Sequence, residues 1–331
     1  MCGAAAPTAS CSVSGSSHPL RPVVALCAAL AIGGCGVGAG ADPDAPVGLS
    51  VTRDFGAKSV LDLPGEKVSG ADTVMRVLRR NATVKARFGG ESVQDINGIA
   101  GGQRDGRPVD WFIYVNGSLN DQGAGAIDVH GGDRIWWDHH DWGLTPDVRA
   151  VVGSYPEPFV HGEGGKRLPV RVECVKPEGD SCKVVADKLI ALGIPIGRSN
   201  ISRSAADMTL RILVGPWSAL RGRDAEADAV DRGPQASGVF ARFDASGKGL
   251  AVLDERGAAV RTLGTGTGLI AATRAEMRQP VWFVTGTDDD GVASAARALD
   301  EGALSNRFAL AISDDLPVAL PAIRGEPAAS G

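Results

Sequence analysis

The stretch GDRIWWDHHDW, Gly132 to Trp142, holds three of the chain's six tryptophans, two of its five histidines and three aspartates. Its first half reads as a strand. Side chains of a strand alternate between faces, so Ile135 and Trp137 share one face while Trp136 and Asp138 share the other. That pattern sends one tryptophan into the core and leaves its neighbour more exposed. Gly132-Asp133 is a tight turn into the strand, and upstream DWFIYVNG, Asp110 to Gly117, is a second aromatic strand. It ends in Asn116-Gly117, a strong hairpin signal because both residues tolerate positive φ.

Outward from this pair, the first half assembles as α+β. In LSVTRDF, Val51, Arg53 and Phe55 alternate with Ser50, Thr52 and Asp54, and KSVLDLPG follows as a partner strand closed by Pro-Gly. A helix comes next. Ser69 is placed as its N-cap with Asp72 three residues on, Val74, Met75, Val77 and Leu78 form its apolar face, and Arg79 and Arg80 favour its C-terminal end. TVKARF and ESVQDI add short strands. Strands, one helix and more strands give a β-grasp-like domain over residues 48–145, with the helix across one sheet face.

An aromatic pair leading into Val-Asn-Gly, followed by Gly-Asp-x-Ile-x-Trp and preceded by the TVMRVL helix and the INGI turn, resembles the transcobalamin-like C-terminal domain of exported bacterial proteins. The resemblance covers residues 48–142. It implies the fold that forms the smaller, corrinoid-covering domain of vertebrate transcobalamin and intrinsic factor, and it implies nothing about residues beyond 150.

The N-terminal run gives the expectation of export. After Arg21, the run PVVALCAALAIGGC has the length of a signal-peptide core and is too short for a permanent membrane helix. Ile32-Gly33-Gly34-Cys35 resembles a lipobox, which implies residues 1–35 as a lipoprotein signal and Cys35 as the lipidated residue. An ordinary signal cleaved near Ala41, or an uncleaved anchor, is the alternative. Residues 36–47, small and Gly/Pro-rich, read as a tether. Of six cysteines, Cys2, Cys11 and Cys27 would leave with the signal. In an exported protein the remaining Cys174 and Cys182 point to a disulfide, with Pro177 and Gly179 marking a turn between them; separate thiols or a two-ligand metal site stay open.

The second region, 149–321, has another rhythm. RAVVGSY, PVRVEC, MTLRILVG, LIAATR, PVWFVTG and RFALAI read as strands. SCKVVADKLIALGI, a stretch after Pro216 and DDDGVASAARALDEGAL read as helices, and GVFARFD with GLAVLDERG as a hairpin. Alternating strands and helices indicate an α/β layered domain with a partly parallel sheet. Residues 322–331 read as a disordered tail.

Several chemistries find little support in the sequence. A net charge of −5 argues against nucleic acid as a partner. GTGTGLI, Gly264 to Ile270, lacks the third glycine of a dinucleotide loop and leads into a strand. Asp288 to Asp290 are contiguous rather than alternating and suit a helix N-cap better than calcium. Adjacent His139 and His140 on an extended chain point to opposite faces and cannot chelate one ion together. His161 sits in a loop without a nearby nucleophile, so catalysis has no specific signature. The remaining candidate is a flat ligand platform of Trp111, Tyr114, Trp136 and Trp137, edged by Asp138, His139 and His140, weighed against a core reading of the same aromatics. The expectation is an extracytoplasmic, lipid-anchored binding protein that uses no cofactor and takes a corrinoid or another flat small ligand for a membrane transporter. An envelope interaction module and an envelope enzyme using the α/β domain are the alternatives.

Overall fold

Alternation on β1 (Val47–Arg53) sets the first sheet: Val47, Leu49 and Val51 are buried under the helix, and Gly48, Ser50 and Thr52 face the other way. The computed structural model describes residues 45–87, 92–202 and 208–323. After β1 come β2 (Lys58–Glu66), α1 (Val74–Asn81), β3 (Val84–Arg87), β4 (Ser92–Ile96), β5 (Ile99–Ala100), β6 (Gly102–Arg104), β7 (Arg107–Val115), β8 (Ser118–Asn120) and β9 (Arg134–Asp141). The sheet order is β2-β1-β9-β7-β6, with β8 hairpinned to β7. β1 and β9 run parallel at its centre, Gly48 beside Arg134 and Ser50 beside Trp136. The hairpin turns at Asn116 and Gly117, both at positive φ, as their identities require. The helix starts later than Ser69 suggests. Thr73 is the N-cap, accepting from the Arg76 N–H, while Asp72 accepts from Ser69 and pairs with Arg80.

Phe55 departs from the alternation. It lies in the β1–β2 turn at φ 58°, beside Asp54 at 59°. Bulky residues rarely adopt that region. Here Asp138 accepts from the backbone N–H of Phe55 (3.1 Å) and Gly56 (2.8 Å), which holds the turn and lays the Phe55 ring on His140.

The second region contributes β10 (Val170–Cys174), α2 (Asp180–Ala191), β11 (Ile196–Asn200), β12 (Leu210–Pro216), α3 (Trp217–Leu220), α4 (Ala225–Arg232), α5 (Pro234–Ser237), β13 (Ala241–Phe243), β14 (Leu250–Leu253), β15 (Ala259–Leu263), β16 (Gly268–Thr273), β17 (Val281–Gly286), α6 (Asp289–Arg297), α7 (Glu301–Leu304), β18 (Ala309–Ser313) and β19 (Leu316–Leu320). Seven strands order as β11-β10-β12-β17-β16-β18-β19, the first four parallel and the rest antiparallel. The fold is a mixed α+β one. Disulfide Cys174–Cys182 ties the end of β10 to the first turn of α2, Cα atoms 6.0 Å apart. Arg211 of β12, buried, donates to Glu173 of β10 at 3.0 and 2.9 Å and to Asp224, the α4 N-cap, at 2.7 Å.

Three expectations shift. RAVVGSY is not a strand: Ala150 makes one bridge to Ser118, Val151 N–H donates to the Gly117 carbonyl, and the chain then turns through Pro156 and Pro158, both preceded by cis peptide bonds. Asp300 caps a new helix with its side chain, so DDDGVASAARALDEGAL splits into α6 and α7. AVRTL and LPVAL form β15 and β19 beyond the expected strands. Asp288 does cap α6, accepting from the Gly291 N–H.

Candidate functional site: a sealed aromatic face and a cleft at its end

β9 and β7 bury all the expected platform residues but divide them between two faces, Trp111, Trp137 and His139 on the α1 side and Tyr114, Trp136, Asp138 and His140 on the other, because adjacent strand residues alternate. Ile135 and Trp137 point to the α1 side as alternation requires, and Trp136, Asp138 and His140 to the opposite side. The expected exposed tryptophan is absent, since Trp136 is 2% exposed and Trp137 1%. The reason is the second region, which covers that face. Phe308, just before β18, packs edge-on against Tyr114, Trp136, His140 and Phe55 at 5.0–5.6 Å, and Phe240 meets Phe55 at 5.3 Å. One hydrophobic cluster therefore holds residues of both regions, and the described residues belong to one compact unit.

Polar groups beneath this lid are paired into a chain. Trp136 Nε1 donates to Thr52 Oγ1 (2.7 Å), whose hydroxyl donates to Asp138 (2.5 Å), and Asp138 also bonds His140 Nδ1 (2.7 Å). The His140 ring is sandwiched between Phe55 and Phe112. On the other face, Trp111 Nε1 donates to the Ile99 carbonyl, and His139 Nε2 lies 3.1 Å from the Ala100 carbonyl. Burial lowers the pKa of His139 and raises that of Tyr114, favouring their neutral forms. Such satisfaction is what buried polar groups need. The Tyr114 hydroxyl alone in this layer lacks a partner among the described residues, with Trp137 Nε1 and His139 Nδ1 unpartnered on the far side.

The same sheet face opens at its other end. Where β1 and β9 begin, the residues facing the second region are Gly48, Ser50 and Arg134, and above them the chain leaves a cleft of about 410 Å³. A side chain at Gly48 would meet only the Arg134 Cγ, at 3.8 Å. Leu63 and Pro64 of β2 form one side, and Ser154, Glu157, Val160 and His161 with Glu301 and Asn306 form the opposite wall. The Trp136 ring closes the inner end, held between Gly56 and Gly153, where added Cβ atoms would come within 3.2 and 2.7 Å of it.

Charges of both signs line this cleft. Glu157 is buried, and its two carboxylate oxygens are taken by the His161 N–H (2.8 Å) and Nδ1 (2.6 Å). That hydrogen bond, above all, raises the His161 pKa. Arg134 Nη2 bonds Glu301 Oε1 at 2.5 Å across the mouth, and Ser50 Oγ donates to Asp62 Oδ1 (3.1 Å). Ser154 is 2% exposed and its hydroxyl has no partner among the described residues. Beyond the Gly132 turn, Asn116 holds Asp133, the Gly162 carbonyl and the Arg134 N–H together, and burial raises the Asp133 pKa.

Sequence reasoning missed this second site because its members lie far apart in the chain, and only His161 drew attention, as a loop residue. A readable signal was the four-residue spacing of Glu157 and His161 across Pro158. Cys35 lies outside the described residues. Among those residues no three His, Cys, Asp or Glu side chains converge as metal ligands would, and no helix is long and apolar enough to cross a membrane.

Comparison with known proteins is sparse. Haptocorrin in complex with Cbi is similar over 29% of this chain at 18% identity with a TM-score of 0.23, and the match spans only 25% of the haptocorrin chain. None of the curated proteins matches. Residues 71–141, from the start of the α1 cap to the end of β9, match the family described as a domain of unknown function, DUF4430.

Proposed function

We propose that this chain is an exported binding protein, held at the outer face of the cell membrane by lipid on Cys35, whose β-grasp-like first half and α/β second half enclose a small ligand for a membrane transporter. The cleft carries this reading. It is built from both halves, mixes apolar and polar lining, and contains a buried hydroxyl without a partner. Cavities of about 300–1,000 Å³ are the common range for small-ligand sites, and this one lies at the low end. The aromatic face that suggested a platform is filled by Phe308 and Phe240, which weighs against both a flat ligand lying on it and an exposed partner surface. A corrinoid is larger than the cleft and would have to lie over its mouth.

The test is a thermal-shift and calorimetric screen of the full chain with amino acids, sugars, nucleosides and cobinamide, repeated on Gly48→Leu, which fills the floor. Saturable binding lost in that variant supports the cleft. Binding that Gly48→Leu leaves intact, or none across the panel, overturns it.

A further inference from the structure

The hydrogen-bond balance of the cleft indicates what class of ligand it takes, and this inference rests on the binding reading above. Donor capacity is left on the Ser154 hydroxyl, on the guanidinium N–H groups of Arg134 other than the one bonded to Glu301, and on His161 Nε2 in the protonated ring, the form that the bond from Nδ1 to Glu157 favours; the Ser305 hydroxyl and the Asn306 amide line the same cleft. Each carboxylate oxygen of the buried Glu157 already accepts one bond from His161. At the rim, Asp62 and Glu301 each use one carboxylate oxygen within the fold, in bonds to Ser50 and Arg134, and keep the second for a ligand. Guanidinium and imidazolium groups only donate and carboxylates only accept, while the Ser154 hydroxyl can do either, so the charged groups call for an anion beside Arg134 and His161 and a cation beside Asp62 and Glu301.

The geometry points to a small zwitterion of the α-amino-acid class, its carboxylate received by Ser154, His161 and Arg134, its ammonium by Asp62 and Glu301, and its apolar side chain by Leu63, Val160 and Trp136. Size agrees, since a cavity of about 410 Å³ has room for an amino acid or a dipeptide. Charge agrees as well. Arg134 and His161 stand against Asp62, Glu157 and Glu301, so a dianion such as phosphate meets more repulsion than a ligand carrying both signs. A neutral sugar would leave the remaining N–H groups of Arg134 and the second oxygens of Asp62 and Glu301 without a charged partner.

The experiment uses the full chain at pH 6.5 and leucine as probe, with 4-methylpentanoate lacking the ammonium, 3-methylbutylamine lacking the carboxylate, and glucose and cobinamide as other classes. Calorimetry should show saturable leucine binding, with each truncated analogue weaker by about tenfold or more, the equivalent of one lost charge-assisted bond. Arg134→Gln should weaken leucine by about tenfold and Ser154→Ala by about fivefold, while Glu301→Gln should weaken leucine and leave 4-methylpentanoate unchanged. Melting curves and circular dichroism of each variant confirm that it is folded. Equal affinity for leucine and either analogue, or leucine binding untouched by both Arg134→Gln and Ser154→Ala, overturns the ligand class. Silence toward leucine with glucose or cobinamide binding that Gly48→Leu abolishes also overturns the class while leaving the cleft reading standing. No binding by any probe overturns both.

Discussion

One sheet face has two ends with opposite fates. At the end defined by Thr52, Trp136, Asp138 and His140 it is sealed by Phe55, Phe240 and Phe308. At the other, defined by Gly48, Ser50 and Arg134, it is open to a cleft. Strand pairing is continuous across both, with β1 and β9 in register from Gly48 to Arg53, so side-chain size rather than backbone decides where the two halves of the molecule close and where they part. Large flat residues fill the space between halves; glycine and serine leave it vacant. An aromatic cluster in the sequence therefore marks the seam of the fold, and the open cleft lies where the cluster stops.

The sealed end should break most severely. Asp138 is buried and serves Thr52, His140 and two backbone N–H groups at once. Asp138→Ala strands all four, and urea denaturation should show a loss of about 3–5 kcal/mol, the range for removing one partner of a buried pair. The Phe55 turn, at positive φ and tethered by the same carboxylate, should loosen with it, giving faster amide exchange at Phe55 and Gly56 than in the parent. A loss under about 1 kcal/mol would mean that the aromatic packing alone seals this end.

A smaller effect is expected away from the seam, at the disulfide. Cys174 and Cys182 close a short loop between β10 and α2. By chain-entropy arguments such a loop contributes about 2–3 kcal/mol, so Cys174→Ser with Cys182→Ser should lower stability by that amount. Leucine and cobinamide titrations of that double variant should match the parent, because neither cysteine lines the cleft. A changed affinity would mean that the two regions communicate through the seven-stranded sheet.

The open end should respond to pH. Glu157 raises the His161 pKa above its unfolded value of about 6.5. A base whose folded pKa is raised contributes stability that is fully present below the unfolded pKa and fades as pH rises through the folded one. Around His161 stand Glu157 and Asp133, which favour the charged form, and Arg167, which opposes it. The melting-temperature gap between parent and Glu157→Gln should therefore be widest near pH 5.5 and shrink above that pKa, leaving only the pH-independent penalty of a misplaced amide. A gap independent of pH would show that the pair is held by packing and not by the imidazolium.

Much of the frame was legible from local pattern. Period-two alternation placed Trp136 opposite Trp137, and Asn116-Gly117 specified the hairpin, because both signals depend on neighbours in sequence. The expectation of export, together with the cysteine count, indicated the Cys174–Cys182 bridge. What alternation cannot express is what covers a face. Trp136 is buried by Phe308, 172 positions away, and nothing in RIWWD encodes that distance. The cleft was illegible for the same reason: it gathers β1, the start of β9, the Pro156–His161 turn and α7. Even RAVVGSY, strand-like by composition, was claimed by the hairpin end, whose Gly117 carbonyl accepts from Val151.

The least disruptive change sharpens the contrast furthest. Gly48 lies in β1 without positive φ and with space beyond its Cα, so a side chain there meets no wall. Glycine inside a strand lowers stability by about 0.5–1 kcal/mol relative to alanine through the freedom it gives the unfolded chain. Gly48→Leu should thus fold as well as the parent or slightly better, by no more than about 1 kcal/mol, since it relieves that penalty. Gly153→Leu is its counterpart where the cleft meets the Trp136 ring. There an added Cβ would fall 2.7 Å from both the Trp136 ring and the Arg307 N–H, and denaturation should register a loss of about 1–3 kcal/mol from overpacking. Two glycines lining one cleft would then give opposite signs, one beside vacant space and one against the Trp136 ring. If Gly48→Leu proves as damaging as Gly153→Leu, the floor of the cleft is packed in solution and the two ends of the sheet are alike.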